Sequence, residues 1–154
     1  LAYDKSHPEV IMDIDYAYIK QVLSEIKEAQ EPYADSQKLY MKYLNVDDGT
    51  DKKFVFHWHL IVENGLLSTN KGPIYDMKSS GLVASPQAPM KFMLVCSPIR
   101  LTSSGIEFLS SLEESKVLDV IVDKFKGEGF SAIVDISKQL GMKILNKKLE
   151  SIDF

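Results

Sequence analysis

The sequence predicts a mixed α+β protein, mainly helical with one β-hairpin, on three observations. Apolar residues recur at helical spacing in several separate stretches. A Gly/Ser/Pro-rich segment from Ser68 to Pro98 divides those stretches and contains two β-like islands. The length of 154 residues and an apolar content of 45% suffice for one core and would be cramped for two domains.

Residues 1–11 lack periodicity and contain Pro8, so they read as a loose extension ahead of Met12-Asp13-Ile14-Asp15. Ile19, Val22, Leu23 and Ile26 then predict a helix over about 15–29, with Asp13 and Asp15 at the positive end of its dipole. Glu31-Pro32 ends it. Leu39, Tyr40, Tyr43 and Leu44 give a shorter second helix that stops before Asp47-Asp48-Gly49.

The stretch from Lys53 to Leu67 supports two readings. Alternation of Phe54, Phe56, Trp58, Leu60 and Val62 is the pattern of a buried strand. Against it, Asp51 offers an N-cap, Glu63-Asn64-Gly65 resembles a helix end on a left-handed glycine, and Leu66 is the apolar residue that follows such an end. On a helix, Phe54, Val55, Trp58, Ile61 and Val62 share one wide apolar face. A helix over 52–64 is the expectation, because the caps bracket a plausible length.

Further on, GPIYDM and MKFMLVC predict two antiparallel strands, with SSGLVASPQAP as a long hairpin tip. Thr102 can cap a helix that sends Ile106, Phe108, Leu109 and Leu112 to the core. Ser115 opens another, carrying Val117, Leu118, Ile121 and Phe125 and ending at Gly127-Glu128-Gly129. Ser131 caps the last, with Ile133, Ile136, Leu140 and Ile144 at helical spacing.

This order of elements looks like a winged helix-turn-helix over residues 12–112, with a two-helix C-terminal extension over 113–154 packed on the same domain. The pattern L-T-x-x-G-x-x-F-L at Leu101 to Leu109, together with H-x-x-x-x-x-E-x-G-L-L at His57 to Leu67, resembles an uncharacterised bacterial and phage family catalogued as domain of unknown function 2513. Met12-Asp13-Ile14-Asp15-x-x-x-Ile19 is similar to that family's start, and the segment after Gly129 to its last helix, so the resemblance runs from residue 12 to about 149. Val117 stands where the family pattern leads one to expect tryptophan, and the tip between residues 76 and 90 is enlarged. The resemblance implies a winged-helix fold and a phage or prophage setting, and it brings no established activity.

Charge narrows the function. The net charge of −4 argues against nucleic-acid binding by bulk charge. Residues 51–101, however, hold six basic groups against three acidic ones, the only clearly basic stretch. Arg100 is the single arginine, which leaves few groups suited to bidentate reading of bases.

A winged helix that reads DNA sets its third helix in the major groove and its wing on the phosphates. The DNA-binding candidates are therefore Lys52, Lys53 and His59 on the third helix, with Lys71, Lys78, Lys91 and Arg100 on or beside the wing. Phe56 and Leu60 share that outward face, where they are poor readers of base edges. They point to the alternative, a protein-binding module. The last helix carries Lys138, Lys143, Lys147 and Lys148 beside the stripe Ile133, Ile136, Leu140 and Ile144, which reads as a homodimer surface.

Catalytic chemistry has no anchor in the sequence. His57 and His59 would chelate a metal together only on a strand and with further ligands. The lone Cys96 falls in the apolar run Met93-Leu94-Val95-Cys96, where it is expected to be a small buried hydrophobe. Gly127-Glu128-Gly129 lacks the lysine and the strand-to-helix setting of a phosphate loop. Asp47-Asp48-Gly49 with Asp51 misses the spacing of a calcium loop. The expectation is a non-enzymatic protein with no cofactor and no metal. A single cysteine, no apolar run near the ~20 residues of a membrane span, and the polar start LAYDKSHPEV make the cytoplasm the expected compartment, with no membrane partner.

Overall fold

The computed structural model describes residues 12–45 and 49–153; the extension at 1–11 and the pair Asp47-Asp48 lie outside the described residues. The fold is α+β, with six α-helices and a small antiparallel sheet among the described residues. Helix α1 (Tyr16–Lys27) is followed by a short strand β1 (Ala34–Asp35), α2 (Ser36–Tyr43) and α3 (Thr50–Glu63). After α3 come β2 (Leu67–Thr69), β3 (Gly72–Pro73), a 3₁₀ turn (Lys78–Ser80), β4 (Leu82–Ser85), β5 (Ala88–Leu94) and β6 (Pro98–Leu101). The chain ends in α4 (Ser103–Glu113), α5 (Ser115–Lys124) and α6 (Phe130–Glu150). One sheet has the antiparallel order β1-β6-β2-β3, and β4 and β5 pair separately.

The helix expected at 52–64 is α3, and its end follows the glycine signal closely. Gly65 has φ 66°, its N–H donates to the Val62 carbonyl at 3.1 Å, and the Leu66 N–H donates to Ile61 at 3.3 Å. This is the Schellman arrangement, which the αL residue makes possible. The start differs from expectation. Gly49, with φ 75°, is the N-cap, and Asp51 lies buried in the first turn, its N–H donating to the Asn45 carbonyl at 3.2 Å.

Next to the α3 end, two residues of the Leu101–Leu109 pattern have visible work. The Thr102 N–H donates to the Leu66 carbonyl at 2.9 Å, and the Thr102 hydroxyl donates to the Gly65 carbonyl at 2.8 Å. The same hydroxyl oxygen accepts the Gly105 N–H at 3.0 Å, capping α4 as the sequence predicts. Gly105 sits so close to the α3–β2 turn that an added Cβ would lie 2.3 Å from the Leu66 carbonyl oxygen.

The segment expected to be two strands and a tip is built differently. GPIYDM supplies only β3 and the approach to the 3₁₀ turn, whereas the Met90–Leu94 part of MKFMLVC lies in β5, which pairs with Leu82–Ser85 from inside the expected tip. Gly81 makes that possible: its φ is 93°, its carbonyl accepts the Val95 N–H at 2.8 Å, and a Cβ there would lie 2.2 Å from the Val95 oxygen. Cys96 falls beyond the end of β5 and is exposed, so it is not the buried hydrophobe expected of it.

A polar knot fastens the base of this segment to the helices. The indole N–H of Trp58 donates to Ser80 Oγ at 3.1 Å, the Ser80 hydroxyl donates to the Met77 carbonyl, and the Tyr40 hydroxyl donates to the Ser80 carbonyl. Around it, Phe54 stacks on Trp58 at 5.1 Å and on Tyr43 at 5.2 Å.

One core cluster joins Ile19, Val22 and Leu23 of α1, Phe54 and Ile61 of α3, Phe108 and Leu112 of α4, Ile121 of α5 and Ile133 of α6. Two positions depart from the sequence reading. Ile106 is 46% exposed and does not reach the core. The cap of α6 is Gly129, with Ser131 already inside the first turn, because Phe130 is buried between Tyr16 and Phe108 and starts the helix two residues early.

Gly105→Ala is expected to lower stability by about 1–3 kcal/mol through overpacking. Gly127→Ala, where a Cβ meets nothing within 4 Å, is expected to change it by less than about 0.5 kcal/mol. Urea denaturation of the two variants beside the parent chain checks both.

Candidate nucleic-acid interface

The first turns of α3 carry the basic residues of interest, and α3 is joined there to the start of α1. His57 is almost fully buried and bonded at both ring nitrogens. The Asp15 N–H donates to Nε2 at 2.9 Å, and Nδ1 is 2.7 Å from the Lys53 carbonyl oxygen. A carbonyl only accepts, so Nδ1 carries the proton and Nε2 is the bare acceptor, which makes the imidazole neutral. Burial pushes its pKa below the usual value, against the opposing pull of the Lys53 carbonyl and the Asp15 charge.

Asp15 completes the joint. One carboxylate oxygen accepts the Tyr18 N–H at 3.0 Å and caps α1, and the other meets Lys53 Nζ at 2.8 Å. Burial works to raise the Asp15 pKa, but the bonds from Lys53 and Tyr18 and the Lys53 charge outweigh it and hold the carboxyl low. The Lys53 ammonium also lies 4.7 Å from the centre of the Tyr18 ring. Lys53 is therefore engaged in holding α1 to α3, a role that spacing alone did not reveal.

The other candidates fall at separate places. Lys52 is exposed and enters no ion pair among the described residues. His59 is exposed, its Nδ1 3.6 Å from a Glu63 carboxylate oxygen one turn on. Lys71, in the β2–β3 turn, and Lys78, in the 3₁₀ turn, line the same shallow groove at the base of the hairpin. Lys91 is exposed on β5. Arg100 is exposed on β6 but lines a different hollow, with Lys27 and Glu31 at the far end of α1.

The apolar candidates are half covered. Phe56 sets its ring edge against His57 at 5.1 Å, and Leu60 packs on the core. On α6, Ile133 is buried, and Ile136, Leu140 and Ile144 are partly buried against the core. The large apolar residues left exposed on α6 are instead Met142, Leu145 and Leu149. Among the described residues no group of three or more His, Cys, Asp or Glu side chains could hold a metal ion, and no helix is long and apolar enough to cross a membrane.

Comparison with known proteins finds no matching family model, no matching curated protein and no matching solved structure.

The His57 joint makes stability depend on pH with a definite sign. Its folded-state pKa lies below the value of about 6.5 in an unfolded chain, so the unfolded state takes up the proton first as pH falls. The contribution is complete above about 6.5 and is lost as pH drops through the folded pKa. Asp15, also held low, adds a second loss of the same sign below about 4. The melting temperature should fall between pH 7 and pH 5 in the parent chain, and a His57→Phe variant should show a flatter profile over that interval.

Proposed function

We propose that the chain is a non-enzymatic winged-helix protein that binds double-stranded DNA, with α3 as its reading helix and the β2–β6 segment as its wing. One observation carries this reading: α1, β1, α2 and α3 precede a sheet in which β6 returns between β1 and β2. That connectivity places a helix pair in front of a hairpin-bearing sheet, the arrangement a winged helix uses to put one helix in a groove and one loop on the backbone. The resemblance to domain of unknown function 2513, with its phage or prophage setting, belongs to the same proposal, and the task it suggests is transcription regulation. Lys52 at the start of α3, with Lys71 and Lys78 at the wing base, supplies the phosphate contacts. Lys53 contributes less because Asp15 holds it. The single exposed Arg100 lies apart, so direct base reading is weak and backbone contact dominates.

A second reading is favoured by one observation. Tyr75 and Met93, on the wing segment, are 63% and 64% exposed, an apolar surface that a protein partner would cover better than a phosphate backbone.

A mobility-shift titration against mixed duplex DNA separates the two. With DNA binding, affinity falls steeply with salt as phosphate counterions are released. A Lys52→Glu/Lys71→Glu variant should bind about tenfold or more weakly, with the salt slope reduced by about two. Absence of a shift even at low salt would sink the DNA reading and leave the protein-partner one.

A further inference from the structure

A cleft of about 800 Å³ lies where the starts of α1 and α3 meet α5, and residues 12–17 form one of its walls. The first part of that wall, residues 12–15, has no regular secondary structure. Among the described residues two bonds join it to α3, and both come from Asp15. Its N–H donates to His57 Nε2 at 2.9 Å, and its carboxylate meets the Lys53 ammonium at 2.8 Å.

The direction of these hydrogen bonds makes the first of them sensitive to a single proton. Nδ1 is 2.7 Å from the Lys53 carbonyl oxygen, so the one proton of the neutral ring is committed to that nitrogen. A second proton goes only to Nε2. There it faces the Asp15 N–H, donor against donor, and no turn of the ring restores the bond, because a charged imidazole has no acceptor nitrogen. The Lys53 pair then remains, and a half-exposed ion pair of that kind holds weakly. The surroundings hold no unmatched charge that would lock His57 in one form. Tyr18 packs its ring on the imidazole at 4.9 Å, Asp15 favours the charged ring and Lys53 opposes it. Along the cleft, Asp13 and Asp119 are matched in number by Lys52 and Lys126. Burial is the largest influence against the charged ring, and opening of the joint removes it.

We propose that residues 12–15 and the start of α3 form an acid-opened latch. A proton on His57 detaches this stretch, opens the α1 wall of the cleft and releases Lys53 from Asp15, while the rest of α1 and α3 stays packed. That packing is independent of the joint: Ile19 and Leu23 of α1 and Phe54 and Trp58 of α3 are fully buried in the common core. The released Lys53 stands beside Lys52 at the start of α3, so acid strengthens the hold on phosphates. This consequence rests on the DNA-binding reading, whereas the latch itself does not.

Native-state hydrogen exchange of the full chain tests the latch at the Asp15 amide, with the Trp58 indole N–H as reporter of the core. After correction for the intrinsic pH dependence of exchange, protection at Asp15 should fall about tenfold or more between pH 7 and pH 5. The proton favours the open form, in which His57 regains its ordinary value of about 6.5. Low urea should leave exchange at Asp15 unchanged and speed it at Trp58, because the latch exposes little surface and unfolding exposes much. His57→Gln, which keeps an acceptor oxygen and does not titrate, should lose the pH response. Protection at Asp15 that ignores pH, the same urea dependence at the two sites, or an undiminished pH response in His57→Gln would each overturn the latch. Repeating the mobility-shift titration at pH 7 and pH 5.5 tests the consequence. The parent chain should bind DNA more tightly at the lower pH, with a salt slope greater by about one, and Lys53→Gln should lack that gain. An equal gain in both chains overturns the release of Lys53. A chain that shifts no DNA at either pH refutes the DNA reading while the latch stands.

Discussion

The fold is organised around one close backbone approach, that of the first turn of α4 onto the turn between α3 and β2. Thr102 gives both its N–H and its hydroxyl to the Gly65-Leu66 carbonyls, and Gly105 allows the two backbones to come within a distance that a methyl group would prevent. Much follows from this contact. It fixes the last residue of β6 relative to the first of β2, so that Leu67 pairs with Leu101 and Thr69 with Ile99. It also sets the direction in which α4 leaves the sheet, and α5 and α6 pack on α4. A further close crossing lies above it, where Gly141 of α6 meets Ser111 of α4 at a distance that would put a Cβ 2.7 Å from the hydroxyl oxygen. The C-terminal helices are thus held through α4 by two glycines that lack a side chain where packing has no room for one.

What the sequence revealed and what it hid divide along a physical line. Features set by neighbours a few residues apart were legible. The Gly65 end of α3, the Thr102 cap and the periodicity of α1 each depend on bonds within one helical turn. Features set by distant partners were not. Nothing local says that Leu82–Ser85 pairs with β5, since Gly81 and Pro86 beside it signal only turns. Ser131 looks like a cap, but the burial of Phe130 between α1 and α4 decides where α6 begins. Cys96 sits in an apolar run and is still exposed, because the strand ends before it. The candidate interface shows the same limit. The basic residues are visible in the sequence, but their distribution over four separate places, and the capture of Lys53 by Asp15, depend on tertiary placement.

Helix α3 therefore has two faces with different tasks. Phe54, Trp58 and Ile61 point into the core, while Lys53 and His57 belong to a polar joint with α1. The joint uses a neutral histidine as an acceptor and a carboxylate as both cap and ion-pair partner. Its bonds are individually modest, since the Lys53–Asp15 pair is half exposed and such pairs contribute about 0–1 kcal/mol. Their combination matters more for geometry than for stability. It holds the starts of α1 and α3 side by side and so defines the wall of the cleft between them. Any surface that uses Lys52 is shaped by that arrangement.

Trp58 gives the molecule an optical property. It is the sole tryptophan, fully enclosed, stacked on Phe54 and hydrogen-bonded through its indole N–H to Ser80 at the root of the hairpin segment. Its emission therefore originates from one place, the seam between α3 and that segment. Loosening of the seam admits water to the indole and shifts the emission to longer wavelength, whereas fraying of α6, whose exposed end lies elsewhere in the fold, leaves the colour of the fluorescence as it was.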